Sequence, residues 1–73
     1  MELDDFLRDA LEPVRDARPG QHFSNLLYAL RPNIYYTLKA CDLDPYYRDD
    51  LLPAAIGATV DLWTGREIVG VDE

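Results

Sequence analysis

The chain has one cysteine, one histidine and one serine, and no acidic residue between positions 21 and 41. A lone Cys41 excludes an internal disulfide framework and a cysteine-based zinc cluster. A small chain without disulfides is expected in the cytoplasm. A catalytic nucleophile needs a base within hydrogen-bond reach and a third group that orients the base. His22 and Ser24 stand two apart, and residues two apart on a helix point in different directions, so no catalytic pair and no enzyme is expected. No run approaches the roughly 20 apolar residues that span a bilayer. The opening MELDDFLRDA is acidic where a secretory leader is basic, so no leader is expected. Repeats and low-complexity segments are absent from the sequence.

What is present is a short, acidic, moderately apolar chain. Its 73 residues are 48 % apolar and carry a net charge of −7. That length implies one domain, residues 1–73. Ordering such a chain costs roughly 1.5 kcal/mol per residue, and apolar burial only just offsets it. A core this thin invites a protein partner or a second copy of the chain. The acids fall on residues 1–20 and 42–73, which flank the acid-free stretch with its Arg31, Lys39 and His22. This acidity repels phosphate backbones, so direct nucleic-acid binding is not expected. It favours solubility and encounter with basic partners.

Leu3, Phe6, Leu7, Ala10, Leu11, Val14 and Ala17 follow a helical stripe, which predicts a first helix over residues 2–17. Pro13 interrupts it and predicts a kink or a new helical start. Asp4 with Arg8, and Arg8 with Glu12, form i, i+4 pairs on its polar side. Arg18-Pro19-Gly20 reads as a turn. Phe23, Leu26, Leu27 and Leu30 predict a second helix from Gln21 to Leu30, which ends where Arg31 meets Pro32. Pro32 suits the first position of a third helix, Pro32 to Cys41, with Ile34, Leu38 and Cys41 buried. Tyr36 and Lys39 fall on its other side.

Asp44 before Pro45 predicts a capped helical turn through Arg48, and Asp49 or Asp50 is expected to cap a fourth helix. Leu52, Ala55, Ile56, Thr59, Val60 and Trp63 form that helix's stripe, with Gly65 just past its end. A β-hairpin is the competing reading, with strands at Ala58 to Trp63 and Arg66 to Val71. The expected fold is all-α: a compact bundle of three to four short helices, with the C-terminal hairpin as the variant.

The remaining patterns have plain explanations. Asp42, Asp44, Asp49 and Asp50 lack the glycine turn and the closing glutamate of a calcium loop, so no metal is expected. The Gly65–Gly70 spacing lacks the lysine and hydroxyl residue of a phosphate loop, so no cofactor is expected. The tyrosines are different. Tyr28, Tyr35, Tyr36, Tyr46 and Tyr47 lie within twenty residues, too many for a thin core to bury. Tyrosine is enriched at interaction hot spots. The candidate partner-binding residues are therefore Tyr35, Tyr36, Lys39, Tyr46, Tyr47, Arg48, Asp49 and Asp50, with Arg31 nearby.

The segment GQHFSNLLYALRP, the tyrosines that follow it, DLDPYYRDDLLP and the later Trp63 resemble short uncharacterised acidic proteins of phages, prophages and bacteria. The resemblance covers residues 20–63 and carries a fold signature without an activity. The net charge of −7 and the clustered tyrosines, more than the resemblance, lead to the expectation of a small phage-type effector or inhibitor that binds a host protein. Two alternatives stand beside that expectation. One is an assembly protein acting as a homo-oligomer; the other is a nucleic-acid mimic whose acids in residues 42–50 block a basic host protein.

Overall fold

Prolines set the boundaries of this molecule. A computed structural model describes residues 2–65 and forms four α-helices. They are α1 (Leu3–Ala10), α2 (Pro19–Leu30), α3 (Pro32–Ala40) and α4 (Leu52–Trp63), the last preceded by a 3-10 turn at Asp49–Leu51. Pro19 and Pro32 occupy first helical positions, and Pro53 the second position of α4, where a missing N–H costs nothing. The described residues contain no strand. The all-α reading therefore holds. The hairpin's first strand is instead the last half of α4, and its second strand lies outside the described residues, as does the tail at Ile68, Val69 and Val71.

The first helix is shorter than its stripe. It stops at Ala10, and Leu11 and Val14 are 44 % and 40 % exposed. Proline at position 13 cannot donate to Asp9 and pushes Glu12 out of the helical region, so the pattern continues in sequence without continuing in space. The ion pair on α1 is Asp5 with Arg8, at 3.3 Å, one register from the expected one. Pro19 and Gly20, expected in a turn, open α2 instead.

The core is built where α2 crosses its neighbours. Helix α2 packs against α1 and α3, and α3 packs against α4. Phe6 is fully buried and joins three helices: its ring meets Phe23 edge-on at 5.5 Å and stacks on Trp63 at 5.0 Å. Leu27, Leu38 and Ala55 complete the centre with no exposed surface. Arg31, at the junction of α2 and α3, places its guanidinium 4.4 Å above the Trp63 ring. That cation–π contact ties the α2–α3 corner to the end of α4. Thr59 is also fully buried, and its hydroxyl has no hydrogen-bond partner among the described residues.

The C-terminal end of α3 differs from expectation. Cys41 is exposed because α3 ends at Ala40 and the thiol sits past the last packed turn. Asp42 then adopts a left-handed conformation, with φ of 60°. The Leu43 N–H reaches the Leu38 carbonyl at 2.8 Å and the Asp42 N–H reaches the Lys39 carbonyl at 3.2 Å. This is the Schellman arrangement, in which a reversed residue lets the chain double back over the helix end. At the end of α4, Gly65 fills the equivalent position with φ of +88°, as its place in the sequence predicts.

Candidate functional site

The reversal at Asp42 sends residues 43–48 back across α2 and α3, and Asp44 fastens them there. One carboxylate oxygen of Asp44 accepts the Ser24 hydroxyl and the Tyr46 backbone N–H, each at 3.0 Å. The other accepts the Tyr35 hydroxyl at 2.9 Å. Three donors from α2, α3 and the connector thus meet one side chain. Bonds to an ionised acceptor are stronger than neutral ones. Asp44 was expected to cap a helical turn through Arg48; it does accept the Tyr46 N–H, but residues 45–48 form only a turn, closed by Arg48 N–H to the Pro45 carbonyl at 3.1 Å. Pro45 itself is buried.

A second fastening lies at the start of α2. Asp49 accepts the Gly20 N–H at 3.0 Å. It caps α2 from across the chain and leaves α4 with no side-chain cap. A carboxylate there also suits the positive end of the α2 dipole. Arg18 donates to the Tyr46 carbonyl at 2.6 Å and lies 3.8 Å from Asp49. Gly20 is needed because a Cβ would fall on the Pro45 carbonyl oxygen and 2.7 Å from the Asp49 carboxylate. Asp50, the other expected cap, forms a two-pronged pair with Arg48 at 2.7 and 3.0 Å. That hydrogen bonding holds the Asp50 carboxyl below the usual carboxylate range.

These anchors frame a cleft of about 270 Å³ lined by Ser24, Asn25 and Tyr28 of α2, Tyr35, Tyr36 and Lys39 of α3, and Tyr46 of the connector. Ser24 with Tyr28, and Tyr35 with Lys39, are i, i+4 pairs, so each helix turns one face to it. Tyr28, Tyr35 and Tyr36 meet edge-to-face, their centroids 5.6, 5.7 and 5.9 Å apart. Such aromatic pairs add about 0.5–1.5 kcal/mol each beyond burial. The Tyr35 hydroxyl is pushed up to about 12 by burial first, then by the hydrogen bond and negative charge of Asp44. A phenol held protonated in this way serves as the donor to Asp44. Tyr36 is raised as well, by its neighbour Tyr28.

Of the residues the sequence singled out, Tyr35, Tyr36, Lys39 and Tyr46 come together at this cleft. Tyr47 stands beside Tyr46, 4.6 Å between ring centres, and is 80 % exposed outside it. Arg48, Asp49 and Asp50 serve the internal contacts above, and Arg31 is turned to Trp63. His22 places a ring nitrogen 2.9 Å from the Asp9 carbonyl, remote in role from the buried Ser24. Ser24 and Asn25 were not anticipated, Tyr28 was seen only as one of the clustered tyrosines, and Asp44, beside the lining, was read as a cap. The helical spacing of Ser24, Tyr28, Tyr35 and Lys39 was the available signal.

Comparison of the chain with family models, with curated proteins and with solved structures finds no match. The described helices include none long and apolar enough to cross a membrane.

Proposed function

We propose that this protein is a non-enzymatic protein-interaction module that docks through its tyrosine surface. One observation carries the reading: Tyr28, Tyr36 and Tyr47 are 51 %, 53 % and 80 % exposed on a fold whose core closes without them. Exposed tyrosines offer wide contact area at small entropic cost, the property that places them at hot spots. The acid-free α2–α3 pair carries most of this surface, and acids flank it in the sequence, so a basic partner is steered toward it. In the most concrete version the protein is a small phage-type effector or inhibitor acting on a basic host protein in the cytoplasm.

The tyrosines are a better docking element than the aspartates of residues 42–50. Asp44, Asp49 and Asp50 spend their oxygens on Ser24, Tyr35, Gly20 and Arg48, which leaves less free charge to imitate phosphate. The test is capture of partners from a host lysate at low and high salt, with Tyr36→Ala and Tyr47→Ala as controls. Capture that weakens with salt and disappears in these variants is expected. Capture indifferent to both would refute the reading. Light scattering across concentration separates it from self-assembly.

A further inference from the structure

Helix α1 hangs on a connector that little fastens. Arg18 is bonded to the Tyr46 carbonyl at 2.6 Å and so belongs to the body of the molecule. Before it, no backbone N–H from Val14 to Ala17 donates a hydrogen bond among the described residues, and Leu11 and Val14 are exposed. The hold of α1 on the body is almost wholly apolar. Phe6 and Ala10 are buried, and the Phe6 ring lies against Phe23 of α2 and Trp63 of α4. The polar tie from α1 to the body among the described residues is the Asp9 carbonyl, 2.9 Å from His22. A helix seated by its apolar face, on a leash without anchors, fits the same seat in a second copy of the chain equally well.

The sequence encodes a longer helix than the fold uses. Leu3, Phe6, Leu7, Ala10, Leu11, Val14 and Ala17 form one stripe, and Pro13 interrupts it. A straight helix from Leu3 to Ala17 would be about 22 Å long. Arg18 alone could not turn it back onto α2, which starts at Pro19, so its apolar face would be free to seat on another copy. Even with Pro13 in place, residues 11–17 stretched out reach about 24 Å. The connector is also electrically neutral: Glu12 and Asp16 balance Arg15 and Arg18, in a chain of net charge −7. Two copies can meet there without the repulsion that the acids impose elsewhere.

We propose that two copies of the chain exchange α1, with residues 11–17 as the hinge and Pro13 as the brake. Each α1 then seats its Phe6 against Phe23 and Trp63 of the other copy, so the dimer repeats the contacts of the monomer. The two hinges cross near the two-fold axis. There Leu11 and Val14 meet their counterparts and lose the exposure they have in the monomer. That burial is the gain that opposes the entropy lost on association. Pro13 favours the closed monomer, because it breaks the helix where the chain must turn back. The tyrosine cleft is built from α2, α3 and the second connector, so each dimer carries two clefts and gains avidity for a partner with two docking segments. Exchange of α1 does not depend on what the cleft binds.

The experiment joins light scattering to isotope-filtered NMR on the full chain. The wild-type protein should dimerise as its concentration rises, and Pro13→Ala should do so at concentrations about tenfold lower. Val14→Lys, which sets like charges against each other at the axis, should need concentrations about tenfold higher. Labelled and unlabelled wild-type chains are then unfolded together and refolded, and the dimer is isolated. Nuclear Overhauser effects are expected between the Phe6 ring of one chain and the Phe23 and Trp63 rings of the other. If those contacts stay within single chains, the dimer is side by side and exchange is overturned. It is equally overturned if Pro13→Ala folds by circular dichroism and stays monomeric at every concentration. Should that variant not fold, a wild-type chain still monomeric at about 1 mM rules exchange out. A dimer lost in Tyr36→Ala and kept in Val14→Lys would mean pairing through the cleft, and would also contradict the hinge.

Discussion

Two connectors of equal length behave in opposite ways. Residues 11–18 join α1 to α2, and residues 41–48 join α3 to the turn before α4. Each contains one proline, at least one aspartate and arginine, and apolar side chains. The first leaves Leu11 and Val14 exposed, and its amides from Val14 to Arg18 donate no hydrogen bond among the described residues. The second buries Pro45 and is held by Asp44, by the Arg18 bond to Tyr46 and by the return from Leu43 to Leu38. Composition does not separate the two. The difference is whether a connector's polar atoms find partners on the helices it crosses.

The largest effect on that contrast should come from Gly20→Ala. The added methyl would strike the Pro45 carbonyl oxygen and lift the second connector off α2. A loss of about 3 kcal/mol is expected by urea denaturation, a large part of the stability of a domain this size. Next, Asp44→Ala leaves the buried Ser24 hydroxyl and the Tyr35 hydroxyl unpaired and should cost about 2 kcal/mol. Asp16→Ala, in the first connector, should change stability by less than about 0.5 kcal/mol. Equal costs for the two aspartates would erase the distinction between the connectors.

A gain sharpens the comparison from the other side. Asp42 sits in the left-handed region at the C-terminal end of α3, where a negative charge also opposes the helix dipole. Asp42→Gly should raise stability by about 0.5 kcal/mol. The last effect is confined to alkaline solution. Tyr35 keeps its proton up to about 12 when folded, against an ordinary value of 10.0. Below pH 10 both states are protonated and the contribution is complete. Between those values the unfolded chain binds fewer protons than the folded one, so stability declines as pH rises. Denaturation followed across that window should show the decline, and Tyr35→Phe should flatten it.

The sequence was most legible where one local rule decided the outcome. Pro32 marked the start of α3, Gly65 the end of α4, and Phe23 with Leu27 the buried side of α2. It misled where a local pattern outlasted its physical cause: the stripe at Leu11 and Val14 outlived α1 because periodicity carries no record of Pro13's missing N–H. Cys41 was assigned to the core for a similar reason, one residue beyond the true end of α3. The clustering of tyrosines was visible, and so were Tyr35, Tyr36, Lys39 and Tyr46 of the cleft's lining. The role of Asp44 was not. Its partners Ser24 and Tyr35 lie twenty and nine residues away, and only the reversal at Asp42 brings them together.

The central claim is that the second connector is a fixed wall of the tyrosine cleft, while residues 14–17 of the first are not part of the ordered frame. Native-state hydrogen exchange of individual amides tests it most directly. The amides of Gly20, Leu43 and Tyr46, bonded to Asp49, Leu38 and Asp44, should be protected to a degree approaching that of Leu27 and Leu38 in the core. Those of Val14 to Arg18 should exchange near the rate of an unstructured chain. If Leu43 and Tyr46 exchanged as fast as residues 14–18, the cleft would have no fixed wall and the account would be contradicted.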